Sequence, residues 1–215
     1  MTDFVFIRHG ETDYNRQQRF QGHVDVPLNA TGQAQAERLG LHLGGQAPQA
    51  FIASDLLRTR QTSAPLAARW GVQPALDAAF REQCFGVLEG LDVPAIQARH
   101  PDLWARWLEH RADFALPGGG ESLQQFHARV IAAVRAAADA WPGQTVTVVT
   151  HGGVLDMLWR TAHGLPLDGL RNCEIPNTGV NRLRWRAGTL QIVQWADASH
   201  LDGLPEPVPT PAGEA

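Results

Sequence analysis

Two short apolar runs in this chain each end on a histidine followed by glycine, and they restrict its folding more than any other feature. Phe4 to Ile7 leads straight into Arg8-His9-Gly10, and the β-branched run Thr145 to Thr150 leads into His151-Gly152-Gly153. A short apolar run without polar alternation reads as a strand buried on both faces, the kind found in parallel sheets. Gln49 to Ala53 is a third such segment, followed by Ser54-Asp55, either of which could N-cap a helical stretch reaching about Trp70. Between the first and third strands, Thr31 is expected to cap a helix with Ala36, Leu39 and Leu43 on one face, stopped by Gly44-Gly45. Strand, helix, strand, helix at this spacing predicts an α/β fold with a parallel sheet covered by helices.

The rest of the chain divides by the same signals. Val93 to Ala140 is helical in pattern but broken by Leu116-Pro117-Gly118-Gly119-Gly120, after which Ser122 and Gln125 form a capping box for an alanine-rich helix. Val180 to Trp185 and Leu190 to Trp195 alternate around Arg186-Ala187-Gly188-Thr189, which predicts a hairpin. After Ala198 the sequence is rich in Pro, Gly and Ala and has no periodic apolar face. The 215 residues therefore read as a single domain over 1–197 and a tail without fixed structure over 198–215.

Composition narrows the chemistry. All 18 cationic Lys+Arg positions are arginine, so a Walker-type phosphate loop and Schiff-base catalysis, which both need a lysine, are excluded. A net charge of -4 gives no general attraction to nucleic acid or to an anionic membrane, so a bound anion must be held by a local cluster. Cys84 and Cys173 form neither a disulfide framework nor a metal-ligand pattern. Without a secretory start or a long apolar stretch, a cytoplasmic location is expected.

Ligands of open parallel sheets sit at the carboxyl ends of the strands, where this chain places two histidines. A metal site would want further His, Asp or Glu ligands at short spacing and would be opposed by Arg8. A serine hydrolase would need a Gly-x-Ser-x-Gly elbow, and none of Ser54, Ser63, Ser122 or Ser199 lies in one. A phosphate site wants fixed planar cations, glycine amides at a helix start and a nucleophile of suitable pKa, and these are present.

The block Phe6-Ile7-Arg8-His9-Gly10-Glu11-Thr12 with Asn15 resembles the signature of the histidine phosphatase superfamily, the phosphoglycerate mutase-like proteins. Four more blocks agree in order: Arg19 to Leu28, Ser54 to Thr62, Arg81-Glu82 with Phe85-Gly86 and Glu89-Gly90, and Val149 to Gly153. The resemblance spans roughly Phe4 to Trp195. It implies a three-layer α/β/α sandwich, a mostly parallel sheet flanked by helices, with a small helical cap at about 93–120.

It also implies roles. His9 would attack phosphorus, a task suited to a neutral imidazole whose other nitrogen is held by an acceptor. Arg8, Arg58 and His151 would surround the phosphoryl oxygens, and Asn15 and the Gly152 amide would add neutral donors. Glu82 would protonate the leaving alkoxide and then activate water; its alternative is a surface salt bridge with Arg81. Gln21, Gly22, His23 and Glu121-Ser122 are placed near the substrate by the resemblance, with turn or capping roles as the alternative. Trp104 and Trp107 fit a helix's core face or a pocket lining. Cys84 reads as an apolar filler.

Mutases of this family carry a longer, basic insertion between the acid and the second histidine, whereas Glu82 to His151 is compact and its arginines are balanced by acids. This favours the small phosphatase branch: a phosphomonoester hydrolase acting on a small phosphorylated metabolite, without metal or cofactor. Phosphoglycerate mutase and a non-catalytic phospho-ligand binder are the alternatives. Trp185 and Trp195, expected to be exposed on the hairpin, could form a homodimer face.

Overall fold

Successive side chains on a strand point to opposite faces, so an all-apolar strand needs cover on both sides. In strand β1 (Thr2–Arg8), Phe4 and Phe6 face one side, Val5 and Ile7 the other, and all four are buried. The computed structural model describes residues 1–45 and 47–204. Within them β1 joins β2 (Ala50–Ala53), β3 (Ala75–Leu76), β4 (Thr145–Thr150), β5 (Val180–Arg186) and β6 (Thr189–Asp197) in one sheet ordered β3-β2-β4-β1-β5-β6. The first four strands are mutually parallel; β5 runs antiparallel to β1, and β6 to β5.

After the single helical turn α1 (Asp13–Arg16), helices α2 (Ala30–Leu43) and α3 (Leu57–Trp70) cover one face. Their Leu39, Leu66 and Ala67 meet Val5, Ile7 and Phe51 there. Two short helices, α4 (Val93–Arg99) and α5 (Pro101–Trp107), precede α6 (Leu123–Ala140) and α7 (Gly152–His163), which cover the other face. Phe126, Val130 and Val134 of α6 pack there with Val154, Leu155 and Leu158 of α7 on Phe4, Phe6 and Val148. Full burial of one such side chain is worth roughly 1.5–3 kcal/mol, which is why the paired layers outweigh any single hydrogen bond in fixing the sheet. The result is the expected α/β/α sandwich. The α4–α5 pair lies over a separate small core of Phe20, Phe85, Leu88, Ile96, Trp104 and Leu116.

Several local expectations hold and others are corrected. The Ser122–Gln125 capping box opens α6, and β5 and β6 form the hairpin. Helix α2, however, is capped by Asn29, whose Oδ1 accepts from Gly32 N at 2.9 Å, with Thr31 already inside the helix. Neither Ser54 nor Asp55 caps α3. Leu56 holds the cap position without a side-chain bond, and the Leu57 amide donates to Asp25 Oδ1 from a distant loop.

The first residues after Ala198, expected to lack fixed structure, pack onto the domain. Ser199–Leu201 forms a 3-10 turn in which His200 is buried, with its Nε2 3.1 Å from Thr178 Oγ1 and its ring stacked on His42 at 5.2 Å. One packed histidine and the Arg38 Nη1 donation to Asp202 O anchor a segment that has no periodic face; residues 205–215 lie outside those described. Nor are the hairpin tryptophans an open face. Trp185 belongs to the main core, and Trp195 is half-buried, packed on Trp159 at 5.0 Å with its Nε1 donating to Glu174 O.

Candidate active site

Strand register makes the site. Arg8 pairs with Thr150 and Ala53 with Val149, so β1, β4 and β2 end nearly level and the next residues, His9, His151 and Ser54, converge. The His9 and His151 rings lie 5.2 Å apart. Gly10 must be glycine because a β-carbon there would come 2.6 Å from the carbonyl oxygen of Gly32 on α2.

Fixed partners set the protonation of both rings. His9 Nδ1 is 2.8 Å from Gly10 O. A carbonyl can only accept, so Nδ1 carries the proton and Nε2 keeps the lone pair. Arg58 Nε, which can only donate, lies 3.2 Å from His151 Nδ1, so the proton of His151 is on Nε2 and points to Ser54 Oγ at 2.8 Å. Burial, then the Arg58 and Arg8 guanidiniums, hold the His9 pKa well below the ordinary 6.5. Burial and Arg58 do the same to His151. Both imidazoles are neutral at physiological pH.

The cations are anchored by backbone. Arg58 is fully buried and donates also to Val24 O at 2.9 Å and Gly22 O at 2.8 Å, while Arg8 Nη1 donates to Ile175 O at 2.6 Å. Glu82 receives Gln83 N on Oε1 (2.8 Å) and Gly153 N, in the first turn of α7, on Oε2 (3.0 Å). A β-carbon on Gly153 would collide with that carboxylate, which explains the second glycine of His151-Gly152-Gly153. His23 Nε2 and Arg129 Nη2 both donate to Glu82 O, at 2.9 and 3.1 Å. Arg81 does not pair with Glu82; it binds both oxygens of Asp55, at 2.7 and 2.6 Å, which holds the Asp55 pKa below its usual range.

A single cavity brings together Arg8, His9, Gln21, Arg58, Glu82 and Gly152. His151, Asn15 and Gly22 stand behind its wall: His151 holds Arg58, Gly22 accepts from Arg58, and Asn15 Oδ1 caps α1 with Thr12. The Thr12 hydroxyl lies 2.9 Å from Gln21 Oε1, which turns the Gln21 NH2 away from it. Ser122 caps α6 and Glu121 pairs with Arg129 at 2.6 Å, so both serve the scaffold. Cys84 is half-buried, and burial pushes its thiol pKa up. Trp104 is core; Trp107 is both, leaning on that core and lining the cavity.

The outer wall of the cavity has no contiguous sequence motif. Phe85, Phe114, Phe126 and Met157 make it apolar, and Asp156 and Arg171 place charges on it. Arg171 lies in the irregular stretch between α7 and β5, and its only sequence signal is membership of the arginine inventory. Among the described residues, no three His, Cys, Asp or Glu side chains group as metal ligands, and no helix is long and apolar enough to cross a membrane.

Residues 4–198 match the profile of the histidine phosphatase superfamily (branch 1). A relative from Arabidopsis thaliana, phosphoglycerate mutase-like protein 4, is 35% identical over 204 residues, covering 93% of this chain and 87% of that protein. Among solved structures, Bacillus stearothermophilus YhfR superposes with a TM-score of 0.86 at 30% identity, covering 94% of this chain and 100% of that one. A mycobacterial glucosyl-3-phosphoglycerate phosphatase in complex with VO3 gives 0.79 at 29% identity, with 90% and 98% coverage.

Proposed function

The chain belongs to the histidine phosphatase superfamily, and on that premise we propose that it hydrolyses a small phosphate monoester through a covalent phosphohistidine at His9, without a metal. The observation that carries this reading is the His9 tautomer: Nδ1–H is committed to Gly10 O, so the nucleophilic Nε2 belongs to a ring on a cavity shared with two arginines and a carboxyl group. Nε2 attacks phosphorus, and the bond to the ester oxygen breaks. Glu82 gives its proton to the departing alkoxide, because an unprotonated alkoxide is a poor leaving group. The Glu82 carboxylate then takes a proton from water as that water attacks phosphorus, which releases phosphate and restores neutral His9.

Charge on the transferring group meets Arg8, Arg58 and the first amides of α7. His151 acts as a positioning residue, since its Nδ1 fixes the Arg58 plane. The compact segment from Glu82 to His151 supports hydrolysis over mutase activity, although relatives carry mutase names. Phosphate release from phenyl phosphate and a metabolite panel tests the reading, with His9→Ala in parallel and with chelator added. Release that depends on His9 and survives chelation is expected. Wild-type release no greater than that of His9→Ala, or rapid 3- to 2-phosphoglycerate interconversion without released phosphate, would overturn it.

A further inference from the structure

We propose that Arg171 binds a carboxylate on the substrate's alcohol portion, so that the enzyme selects phosphate monoesters bearing a carboxylate close to the ester. This rests on the phosphatase reading above.

Arg171 lines the cavity with its side chain only 11% exposed. Its Nε is buried and makes no hydrogen bond among the described residues. The facing acid does not satisfy it: Asp156 Oδ1 is 3.9 Å away, while Asp156 Oδ2 accepts Arg160 Nε at 2.9 Å. Arg160 is consumed by structure, donating to Pro166 O at 2.8 Å and Gly169 O at 3.0 Å. Two arginines share one aspartate, which leaves one positive charge in excess on the cavity wall. The other outer cation, Arg111, is already answered by both oxygens of Asp113, at 3.2 and 2.9 Å.

Position and charge identify what Arg171 would hold. A β-carbon placed on Gly152 would lie 3.5 Å from Arg8 Nε and 3.8 Å from Arg171 Nη1, so the two guanidiniums flank one point at the start of α7. With Arg8 on the phosphoryl group, an anion on Arg171 must be a near neighbour in the same small molecule. A single excess charge matches a carboxylate, and the planar fork of arginine matches its two oxygens.

The test reads affinity, so that it needs no turnover. Calorimetry on the His9→Ala protein compares two pairs: phosphoserine with phosphoethanolamine, and 3-phosphoglycerate with glycerol 3-phosphate. The carboxylate member of each pair is expected to bind about tenfold tighter. Adding Arg171→Gln should bring the members within about twofold of one another. Arg171→Lys, which keeps the charge and loses the fork, should leave an intermediate ratio and serves if the glutamine variant does not fold. A ratio near one before Arg171 is changed, a ratio that persists after it, or an equal loss for both members would overturn the assignment; the last outcome would put Arg171 on the transferring phosphoryl group. Wild-type turnover of phenyl phosphate is measured beside it. Its absence would sink the phosphatase reading, while the affinity ratio still decides on Arg171.

Discussion

The two ends of the cavity are built on different principles. At the inner end, Arg8, His9, Arg58 and His151 are locked by level strand ends and by backbone carbonyls, and the polar groups that set their geometry are buried. At the outer end, Trp107, Phe114 and Arg171 come from short helices and irregular chain, and apolar contact replaces the hydrogen-bond lattice. Under the proposed function, the inner end would be preorganised for a group that never varies, the phosphoryl, and the outer end shaped for whatever is attached to it. Changes at the inner end should therefore act on kcat, and changes at the outer end on KM and on substrate choice.

The sharpest contrast is expected from Glu82→Gln. It keeps the shape and removes the transferable proton, so kcat for alkyl phosphates should fall about 10²- to 10⁴-fold. For p-nitrophenyl phosphate, whose leaving group needs no proton, the first step should suffer far less; equal losses on both substrates would remove Glu82 from the acid role. Next comes Arg58→Lys. One ammonium cannot serve His151 Nδ1, Val24 O and Gly22 O together, so the loss should approach that of Arg58→Ala, about 10²- to 10³-fold in kcat. Near-normal turnover in the lysine variant would show that the fork is not needed.

At the outer end, Trp107→Ala should raise KM several-fold and leave kcat within about threefold, because its ring lines the cavity while meeting Phe20 and Phe85 edge-on at 5.8 and 5.9 Å. A kcat collapse would erase the proposed division. The mildest effect concerns pH. His9, His151 and His200 have pKa values lowered in the fold, the last to about 4, chiefly by burial. Below about pH 6.5 the unfolded chain binds more protons than the folded one, so stability should fall as pH drops and level off once the folded-state values are passed. His200→Gln should flatten part of the decline in melting temperature between pH 6.5 and 4; an unchanged slope would contradict its burial as a neutral ring.

The same division explains what could be read from the sequence. The inner end was legible because each residue there follows a strand or opens a helix within a contiguous block: Arg8-His9-Gly10, Ser54 to Thr62 and His151-Gly152-Gly153. Arg171 was not, because its meaning depends on Asp156 being shared with Arg160 and on Arg8 across the cavity, relations between distant segments. The capping errors have the same origin. Asp55 is a sound local cap, but Arg81 offers it two charge-assisted hydrogen bonds, and Asp25 supplies the α3 amide instead. His200 shows the limit of periodicity: one buried ring and one backbone contact hold a segment that composition assigned to the tail.

The central claim, that His9 carries the phosphoryl group between substrate and water, is tested most directly by rapid mixing with ³²P-labelled substrate, followed by denaturing quench. Expected is labelled protein that survives base, loses its label in acid and maps to the peptide containing His9, with no label on His9→Ala. Turnover in wild type without labelled protein at any quench time, or label on another residue, would contradict it.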